Sequence, residues 1–408
     1  MTAPVVLRLE PPPACLADPA LRPILDALAG ARLVGGAVRD TLAGRPVADI
    51  DIATPDPPEA VMAALARAGL RTVPTGLAHG TVTAVSGHRG FEITTLRRDV
   101  ATDGRHAQVA FTDDWQADAA RRDFTINALS MTRDGAVHDY VGGAADLAAG
   151  LLRFVGDPVL RIAEDHLRIL RFFRFFALFA HGPADPPAVA AIAAARGGVA
   201  RLSAERVWGE LRRLLAVPAP LPALRLMQHT GVLPILLPEG AALDRLAALL
   251  ASGAPADPLL RLAALLTGEA TDLARRLRLS AAEAARLAGL LAGAAPAADS
   301  DDDALRRARA EAPAELVAGR VWLAGGDPAL AAGLTARLAG LPRPVFPLRG
   351  RDLRAAGIAP GAGLGALLHA LRDWWLAGGC RADAAACRAE LRRRLPPSAR
   401  CGDTGPAG

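Results

Sequence analysis

Short apolar runs typical of β-strands are concentrated in the first hundred residues of the chain. Residues 70–73, 80–85 and 91–95 are rich in β-branched side chains and are separated by turn-forming residues, which predicts three strands. Helical spacing of apolar residues predicts helices at residues 21–29 and 57–68. Helices and strands in this order predict a small α/β head.

Helical periodicity dominates the remainder of the chain. Residues 157–178 predict one long amphipathic helix with an apolar stripe on one side and charged residues on the other. The stripe contains Ile162, Ile169, Leu170, Phe173 and Phe176. Residues 190–216 contain the sequence RLSAERVWGELRRLL, which predicts a further helix with Ser203 as its N-cap and Arg206 four residues ahead of Glu210. From residue 223 to residue 341, leucine and alanine recur at helical spacing.

We therefore predict an α+β protein in which a small α/β head is followed by helices only. The predicted segments are an irregular lead-in at 1–20, the head at 21–150, a neck at 151–216, a body at 223–341, a tail at 342–395 and a disordered end at 396–408. The proline-rich residues 217–222 are predicted to link neck and body.

Composition and charge narrow the class of protein only slightly. The chain is 51% hydrophobic and 4% aromatic, with a formal net charge of +5. A basic balance is compatible with a polyanionic partner. The chain contains no lysine, so every basic residue except histidine is arginine. GC-rich codons would produce the same excess of arginine and alanine, so the charge is permissive evidence.

The cysteine count and the apolar runs favour a cytoplasmic protein. Four cysteines without paired metal-site spacing are too few for a disulfide framework. The first residues are interrupted by proline and carry acidic as well as basic groups, unlike a secretory signal. Arginines or acids interrupt every long apolar stretch, so we expect no transmembrane segment and no membrane partner.

The chemistry is concentrated at residues 33–54. A Gly35-Gly36 pair permits a close approach of backbone amides to phosphates, and Arg39 adds a permanent charge. Asp49 and Asp51 alternate with apolar residues, so a strand would project both carboxylates from one face. Such oxygen ligands suit Mg²⁺, which leaves its other positions to water and substrate phosphates. This stretch predicts a site for a metal-bound nucleotide.

These features, in this order, resemble the catalytic signature of the nucleotidyltransferase superfamily that includes polymerase beta. The amino-acid sequence of this stretch is most similar to that of the class II tRNA nucleotidyltransferase and bacterial poly(A) polymerase family. Residues 121–129, RRDFTINAL, resemble the second family motif, and residues 139–147, DYVGGAADL, resemble the third. The resemblance implies a polymerase-beta-like head in which Arg122 reaches the triphosphate or ribose. Asp123 and Asn127, four apart on a predicted helical face, would brace the site.

Two further elements of the head are expected to contribute. If the strand that carries Glu92 lies beside the strand with Asp49 and Asp51, Glu92 is a third catalytic carboxylate; otherwise it is an edge-strand residue that faces water. Residues 97–106 lack periodicity and predict a mobile loop. By the resemblance, a loop with Asp103 and Arg105 helps the change from adding C to adding A.

The sequence EDHLR in the predicted neck helix resembles the nucleotide-selecting EDxxR element of the family. Without that resemblance, Glu164 and Arg168 are an ordinary i,i+4 ion pair. A carboxylate only accepts hydrogen bonds and a guanidinium only donates them, so Asp165 and Arg168 complement cytosine and, after a small shift, adenine. Guanine and uracil present hydrogen-bond donors or acceptors that do not match Asp165 and Arg168. His166 stands where the family more often has proline, and Arg171 and Arg174 would face the phosphates.

The resemblance implies an enzyme that adds or repairs the 3′-terminal CCA of tRNA from CTP and ATP. Two Mg²⁺ ions on Asp49 and Asp51 would assist the displacement of pyrophosphate. A bacterial poly(A) polymerase or an A-adding enzyme is the alternative. The residues PTGLAHGTVTAV stand where poly(A) polymerases carry a basic stretch, and DGRH favours full CCA addition. A non-catalytic RNA-binding protein is the remote alternative, and the sequence does not determine the oligomeric state.

Overall fold

The structure is a computed structural model that describes residues 5–102, 107–297 and 299–395. The chain forms two compact units, Met1–Pro238 and Glu239–Gly408. No helix in the described ranges has the length and apolar character needed to cross a membrane. The predicted disordered end at 396–408 lies outside the described residues, as do Asp103 and Arg105.

An eight-stranded sheet forms the centre of the first unit. Its strands are β1 (Val5–Arg8), β2 (Arg32–Val34), β3 (Asp51–Thr54), β4 (Arg71–Gly76), β5 (Thr81–Ser86), β6 (Arg89–Thr95), β9 (Ser130–Met131) and β10 (Ala136–Asp139), and β7 (Arg97–Thr102) and β8 (Ala107–Phe111) form a separate hairpin. The order in the sheet is β1-β10-β9-β2-β3-β6-β5-β4. Only the pairing of β3 with β6 is parallel among the described strands.

Helices pack on this sheet through a core that the sequence pattern predicts. The head helices are α1 (Arg22–Ala27), α2 (Gly36–Leu42), α3 (Pro58–Arg67), α4 (Trp115–Ala120) and α5 (Gly143–Ala149). Leu33, Ile52 and Ile93, from three neighbouring strands, are almost fully buried in one cluster with Leu65 of α3. This cluster fixes the strands that bear Asp51 and Glu92.

Helices complete both units. The first unit continues with α6 (Pro158–Glu164), α7 (Leu167–Phe179), α8 (Pro186–Ala195), α9 (Ala204–Ala216), α10 (Leu221–His229) and α11 (Leu233–Leu236). The second contains α12 (Leu243–Ala251), α13 (Pro258–Leu265), α14 (Ala270–Arg276), α15 (Ala281–Leu291), α16 (Asp302–Glu311), α17 (Ala314–Ala324), α18 (Pro328–Gly340), α19 (Gly350–Ala355), α20 (Ala362–Ala377) and α21 (Ala384–Arg394). The predicted α/β head and helical remainder are confirmed.

Three local predictions are wrong. The lead-in at 1–20 contains a strand, because β1 pairs along its whole length with β10. Residues 97–102, predicted to lie in a mobile loop, form the strand β7, which pairs with β8. The long helix predicted at 157–178 is interrupted at Asp165, whose φ of −157° and ψ of 109° are extended. The predicted domain boundaries within the helical part stay predictions.

Candidate active site

A polar cavity of about 760 Å³ lies in the first unit, where the head meets α7 and α9. Twelve predicted site residues line it: Gly35, Gly36, Arg39, Asp49, Asp51, Arg122, Asp123, Asn127, Asp165, Arg168, Arg171 and Arg174. Eight of its nineteen lining residues are arginine and five are aspartate. Because positive charge exceeds negative charge, the cavity suits a polyanion such as a nucleoside triphosphate.

The acidic side of the cavity comes from the start of β3. The strand begins at Asp51, and Asp49 precedes it in an irregular segment, so the prediction of one strand with both aspartates at period two is wrong. Both residues nevertheless line the cavity. Glu92 stands directly opposite Asp51 on the parallel strand β6. Glu92 is not part of the cavity lining, but its neighbouring strand position is the one that the sequence reasoning required for a third carboxylate.

The carboxylates influence one another electrostatically. Asp51 is accessible to solvent at the cavity, yet the surrounding protein displaces part of its hydration. This desolvation, together with the negative charges of Glu92 and Asp49, raises the pKa of Asp51, and Arg122 partly offsets the rise. An aspartate whose pKa is raised by neighbouring negative charges is a setting that a divalent cation would stabilise.

Asp49 and Asp51 suit Mg²⁺, which takes further ligands from water and substrate, better than they suit a metal ion whose ligands all come from the protein. Within residues 5–102, 107–297 and 299–395, no group of three or more His, Cys, Asp or Glu side chains is arranged to hold a metal ion. Mg²⁺ is commonly bound by one or two carboxylates, with water and substrate phosphates as the other ligands. Asp49 and Asp51 match that requirement.

The glycine pair shapes the turn into α2. Gly35 has a φ of +62°, which favours glycine, and its amide donates to the carbonyl oxygen of Leu129 at 3.2 Å. A Cβ atom on Gly35 would lie 3.3 Å from Nη1 of Arg122. The glycine therefore makes room for Arg122, and its own amide is already engaged.

Arg39 is not a free charge in this cavity. Its Nε and Nη2 donate to Asp40 at 3.0 and 3.1 Å, and its Nη1 donates to Oδ1 of Asn127 at 2.6 Å. The guanidinium also lies over the rings of Phe175 and Phe179, 5.0 and 4.5 Å from the centroids. Burial lowers the pKa of Arg39, although Asp40 opposes the shift. Arg39 links α2 to α7 and braces the site.

The second motif forms an ion-pair network in place of the predicted helix. Nε and Nη2 of Arg121 donate to Oδ1 of buried Asp118 at 3.0 and 2.8 Å, and those of Arg122 donate to Oδ2 at 3.2 and 3.0 Å. Asp123 follows α4, and a 3-10 helix covers Thr125–Asn127. The predicted helical face is therefore wrong, but Nδ2 of Asn127 donates directly to Oδ1 of Asp123 at 3.0 Å.

The interruption between α6 and α7 separates the two predicted base-selecting residues. Oδ1 of Asp165 accepts from the amide of Leu167 at 3.0 Å, and Oδ2 accepts from Nη2 of Arg206 at 2.6 Å. Arg168 instead donates to Glu164 and to the carbonyl oxygen of Arg161, the latter at 2.9 Å. The predicted ion pair of Glu164 with Arg168 is confirmed. Glu164 supports Arg168 and is not part of the cavity lining.

Arg171 and Arg174 also have carboxylate partners. Nε of Arg171 donates to Oδ2 of Asp123 at 2.7 Å, and Nε of Arg174 donates to Oε2 of Glu210 at 2.6 Å. Both arginines line the cavity, and contact of their N–H groups with substrate phosphates stays a prediction. Arg171 joins α7 to the head, and Arg174 joins α7 to α9.

The sequence reasoning missed Asp118, Arg121, Arg206 and Arg213. Arg206 and Glu210 do not pair with each other in this helix: Arg206 bonds to Asp165 and Glu210 bonds to Arg174. The helical spacing of Arg206, Glu210 and Arg213 was the available signal, since residues three and four apart share a helix face. That face is directed at the cavity, where Arg206 and Arg213 are lining residues.

Two known domain families match parts of this chain. The Poly A polymerase head domain matches residues 31–153, and the domain described as the probable RNA and SrmB-binding site of polymerase A matches residues 185–243. CCA tRNA nucleotidyltransferase 1, mitochondrial, of Mus musculus is 37% identical over 370 residues, which cover 86% of this chain and 83% of the relative. This chain belongs to the CCA tRNA nucleotidyltransferase family.

Other members of the family agree with this assignment. The human protein of the same name is 37% identical over 365 residues, covering 85% of this chain and 83% of the relative. The crystal structure of the Bacillus stearothermophilus CCA-adding enzyme in complex with CTP has a TM-score of 0.73 at 27% identity, over 92% of this chain and 98% of that one. The predictions that the chain is an enzyme and a member of this family are confirmed.

Proposed function

We propose that this enzyme adds or repairs the 3′-terminal CCA of tRNA, with CTP and ATP as substrates. The observation that carries the proposal is that Asp49 and Asp51 line the same cavity as Asp165 and Arg168. The cavity thus offers carboxylates for a metal-bound triphosphate together with a donor and an acceptor for a base. Names of relatives and structural neighbours that refer to CCA addition, CTP and tRNA support the same activity.

Asp49 and Asp51 are the residues that would hold Mg²⁺. When bound, a pair of such ions stabilises the charge that develops on the attacking and leaving oxygens in an in-line displacement. The residues of this chain supply the remaining positive charge: Arg122 acts electrostatically on Asp51 while its guanidinium stays oriented by Asp118. Preorganised charge of this kind stabilises a transition state without reorganisation during the reaction.

Asp165 and Arg168 would select the base by hydrogen-bond complementarity. Nη1 of Arg168 donates to Arg161 and Glu164, and Nη2 donates to the carbonyl oxygen of Arg121 at 3.3 Å. A guanidinium has five N–H groups, so two N–H groups have no partner in the described part of the chain. Two donors beside the acceptor Asp165 complement the O2, N3 and N4 groups of cytosine.

The choice of the first nucleotide added to a tRNA tests this selection. The substrate is a tRNA transcript that ends at the discriminator base. Each reaction contains one of CTP, UTP, ATP or GTP, and the enzyme is the wild type, Asp165→Ala or Arg168→Ala. We expect the wild type to incorporate CTP and both variants to lose at least about tenfold of the preference for CTP over UTP, because each hydrogen bond to a charged group contributes about 1.5 kcal/mol or more. Variants that keep the full preference would contradict the proposal.

The cellular location stays a prediction. The cytoplasmic location was expected from the amino-acid pattern, whereas the mouse and human relatives are named as mitochondrial proteins. Fractionation of cells that express the full chain, with immunoblotting of each fraction, tests the prediction directly.

A further inference from the structure

Arg206 of α9 contacts the base-selecting carboxylate from outside the EDHLR segment. Its Nη2 lies 2.6 Å from Oδ2 of Asp165, although the two residues are 41 positions apart. Both side chains line the cavity, and both are about one quarter exposed, at 29% and 26%. The contact therefore lies at the cavity surface, where a bound base would meet it.

The local backbone makes Asp165 dependent on such a partner. Asp165 is neither in α6 nor in α7, and its backbone is extended. Oδ1 is bonded to the amide of Leu167, two residues ahead, which holds one oxygen close to the main chain. Among the described residues, Arg206 is the side chain that bonds to the other oxygen, so it limits rotation of the carboxylate.

A count of acceptor sites shows what this contact leaves available. A carboxylate has about four lone-pair sites, and Leu167 and Arg206 occupy one each. The remaining sites can accept from the N4 amino group of cytosine or the N6 amino group of adenine. Uracil and guanine carry keto oxygens at the equivalent edge, and a fixed acceptor repels them.

Arg168 has a separate support. Glu164 and the carbonyl oxygens of Arg161 and Arg121 hold its guanidinium. No hydrogen bond joins Arg168 to Asp165 through their side chains within the described ranges. Loss of Arg206 would therefore release the acceptor half of the base-selecting pair and leave the donor half in place.

We propose that Arg206 is a positioning residue that holds Asp165 as a fixed acceptor and thereby sets discrimination against UTP and GTP. The inference rests on the proposed selection of CTP and ATP by Asp165 and Arg168. Arg206 acts through Asp165 and needs no contact of its own with the base. Its removal changes the choice of nucleotide more than it changes the rate of a correct addition.

The test compares kcat/KM for CTP and for UTP on a tRNA that ends at the discriminator base. Arg206→Met keeps the length of the side chain and removes the guanidinium. We expect the CTP-to-UTP ratio to fall about tenfold, the size of one lost hydrogen bond to a charged group. Arg212→Met is the matched control, because Arg212 is an exposed arginine of the same helix that does not line the cavity. It should keep the wild-type ratio.

Arg206→Lys provides the second variant. Lysine keeps the charge but lacks the planar fork that holds a carboxylate oxygen, so we expect a ratio between those of the wild type and Arg206→Met. If Arg206→Met does not fold, Arg206→Lys decides alone: an unchanged ratio overturns the proposal. If a variant only loses structure in general, kcat/KM for CTP and kcat/KM for UTP fall by the same factor and their ratio is unchanged. That result also overturns the positioning role of Arg206.

A double-mutant cycle shows whether Arg206 acts through Asp165. In an Asp165→Ala background, Arg206→Met should leave the CTP-to-UTP ratio where Asp165→Ala alone placed it. Additive effects would mean that Arg206 recognises the nucleotide by itself and would overturn the positioning role. If Asp165→Ala itself does not alter the ratio, the proposed base selection fails and the inference fails with it. If Asp165→Ala alters the ratio and Arg206→Met does not, only the inference fails.

Discussion

The guanidinium of Arg171 binds the carboxylate of Asp123 with two nitrogens, Nε and Nη2, at 2.7 and 2.6 Å from Oδ2. Asp123 is buried in the head and Arg171 belongs to α7. Desolvation alone would raise the pKa of Asp123, but Arg171 and the hydrogen bond from Asn127 outweigh it, and the pKa is lowered. The ion pair fixes the neck against the head beside the cavity.

Replacement of Asp123 by alanine should therefore destabilise the first unit. The change leaves Arg171 without its anionic partner, and loss of one member of a buried ion pair costs about 3–5 kcal/mol. Because the side chain of Arg171 is 31% exposed, we expect the lower end, about 3 kcal/mol in the free energy of unfolding. Urea unfolding measures it.

The control for this change is Asp134→Ala. Asp134 forms an exposed ion pair with Arg8, with side chains 53% and 60% exposed, and such pairs contribute about 0–1 kcal/mol. A loss for Asp123→Ala no larger than that for Asp134→Ala would show that the contact between Asp123 and Arg171 does not stabilise the unit.

Asp118 should give the stability of the head a dependence on acid pH. Desolvation raises its pKa, but Arg122 and Arg121 outweigh this effect, so the pKa lies below its ordinary value of 3.8. A lowered pKa contributes stability that is fully present above the ordinary value and is lost as the pH falls through the folded-state value. Asp118→Asn removes the charge and should destabilise the wild type by about 2 kcal/mol at pH 7.

This difference should shrink below pH 4. Urea unfolding of wild type and Asp118→Asn at several pH values between 7 and 3 gives the two free energies of unfolding. The difference should be constant above about pH 5 and decrease as the pH approaches 3, because protonation of the wild type removes the same ion pairs. A difference that grows on acidification would mean that the folded protein raises the pKa.

His166 and Gly198 should be energetically coupled. A Cβ atom on Gly198 would lie 1.7 Å from Cδ2 of His166, so Gly198→Ala must displace the imidazole. Overpacking of this kind costs about 1–3 kcal/mol. The φ of His166 is −62°, which is the value that proline imposes, and the extended backbone of Asp165 is compatible with a following proline.

His166→Pro should therefore fold and should tolerate alanine at position 198. It removes the imidazole that obstructs the new methyl group, so Gly198→Ala should cost at least about 1 kcal/mol less in the His166→Pro background than in the wild type. Thermal or urea unfolding of the four proteins gives the coupling free energy. Equal losses in the two backgrounds would show that the imidazole yields without cost.

Asp49 and Asp51 should be needed for nucleotide addition and not for tRNA binding. Removal of a carboxylate that holds Mg²⁺, the role proposed for Asp49 and Asp51, loses several kcal/mol of transition-state stabilisation, so Asp49→Ala and Asp51→Ala should each lower kcat about 10³-fold or more. The dissociation constant for tRNA, measured by filter binding without nucleotide, should change less than about threefold, since these residues add no positive charge.

The metal itself can be removed as a further check. Chelation should abolish incorporation by the wild type, and added Mg²⁺ should restore it.

Asp26→Ala is the matched control for Asp49→Ala and Asp51→Ala, because Asp26 is an exposed head aspartate paired with Arg133 and lies outside the cavity lining. Asp26→Ala should keep the wild-type kcat. Full activity of Asp51→Ala would contradict the assignment of the metal-binding residues.

The residues of the site were more predictable than their partners. Asp49, Asp51, Asp165 and Arg168 stand in short motifs whose chemistry is local to the sequence, and all four line the cavity. The contact between Asp165 and Arg206 joins residues 41 positions apart, and no local pattern specifies which arginine will reach a given carboxylate. Glu210 lies four residues from Arg206 on the same helix, yet it bonds to Arg174.

Local sequence patterns also failed to predict the parts of the fold that depend on residues far apart in the chain. The strands β5 and β6 follow from β-branched runs, whereas β1 was missed because its pairing with β10 depends on a residue separation of more than one hundred. The interruption at Asp165 was hidden because apolar spacing continues from Ile162 to Ile169 as if one helix were present. Periodicity records which residues are buried and does not record whether the backbone between them is helical.

Extension of three tRNA transcripts tests the central claim most directly. The transcripts end at the discriminator base, at C-C and at C-C-A, and labelled CTP and ATP are supplied singly and together. The first should receive two C residues and then one A, the second should receive one A, and the third should receive nothing. Unlimited addition of A to any 3′ end would contradict CCA addition and identify a poly(A) polymerase.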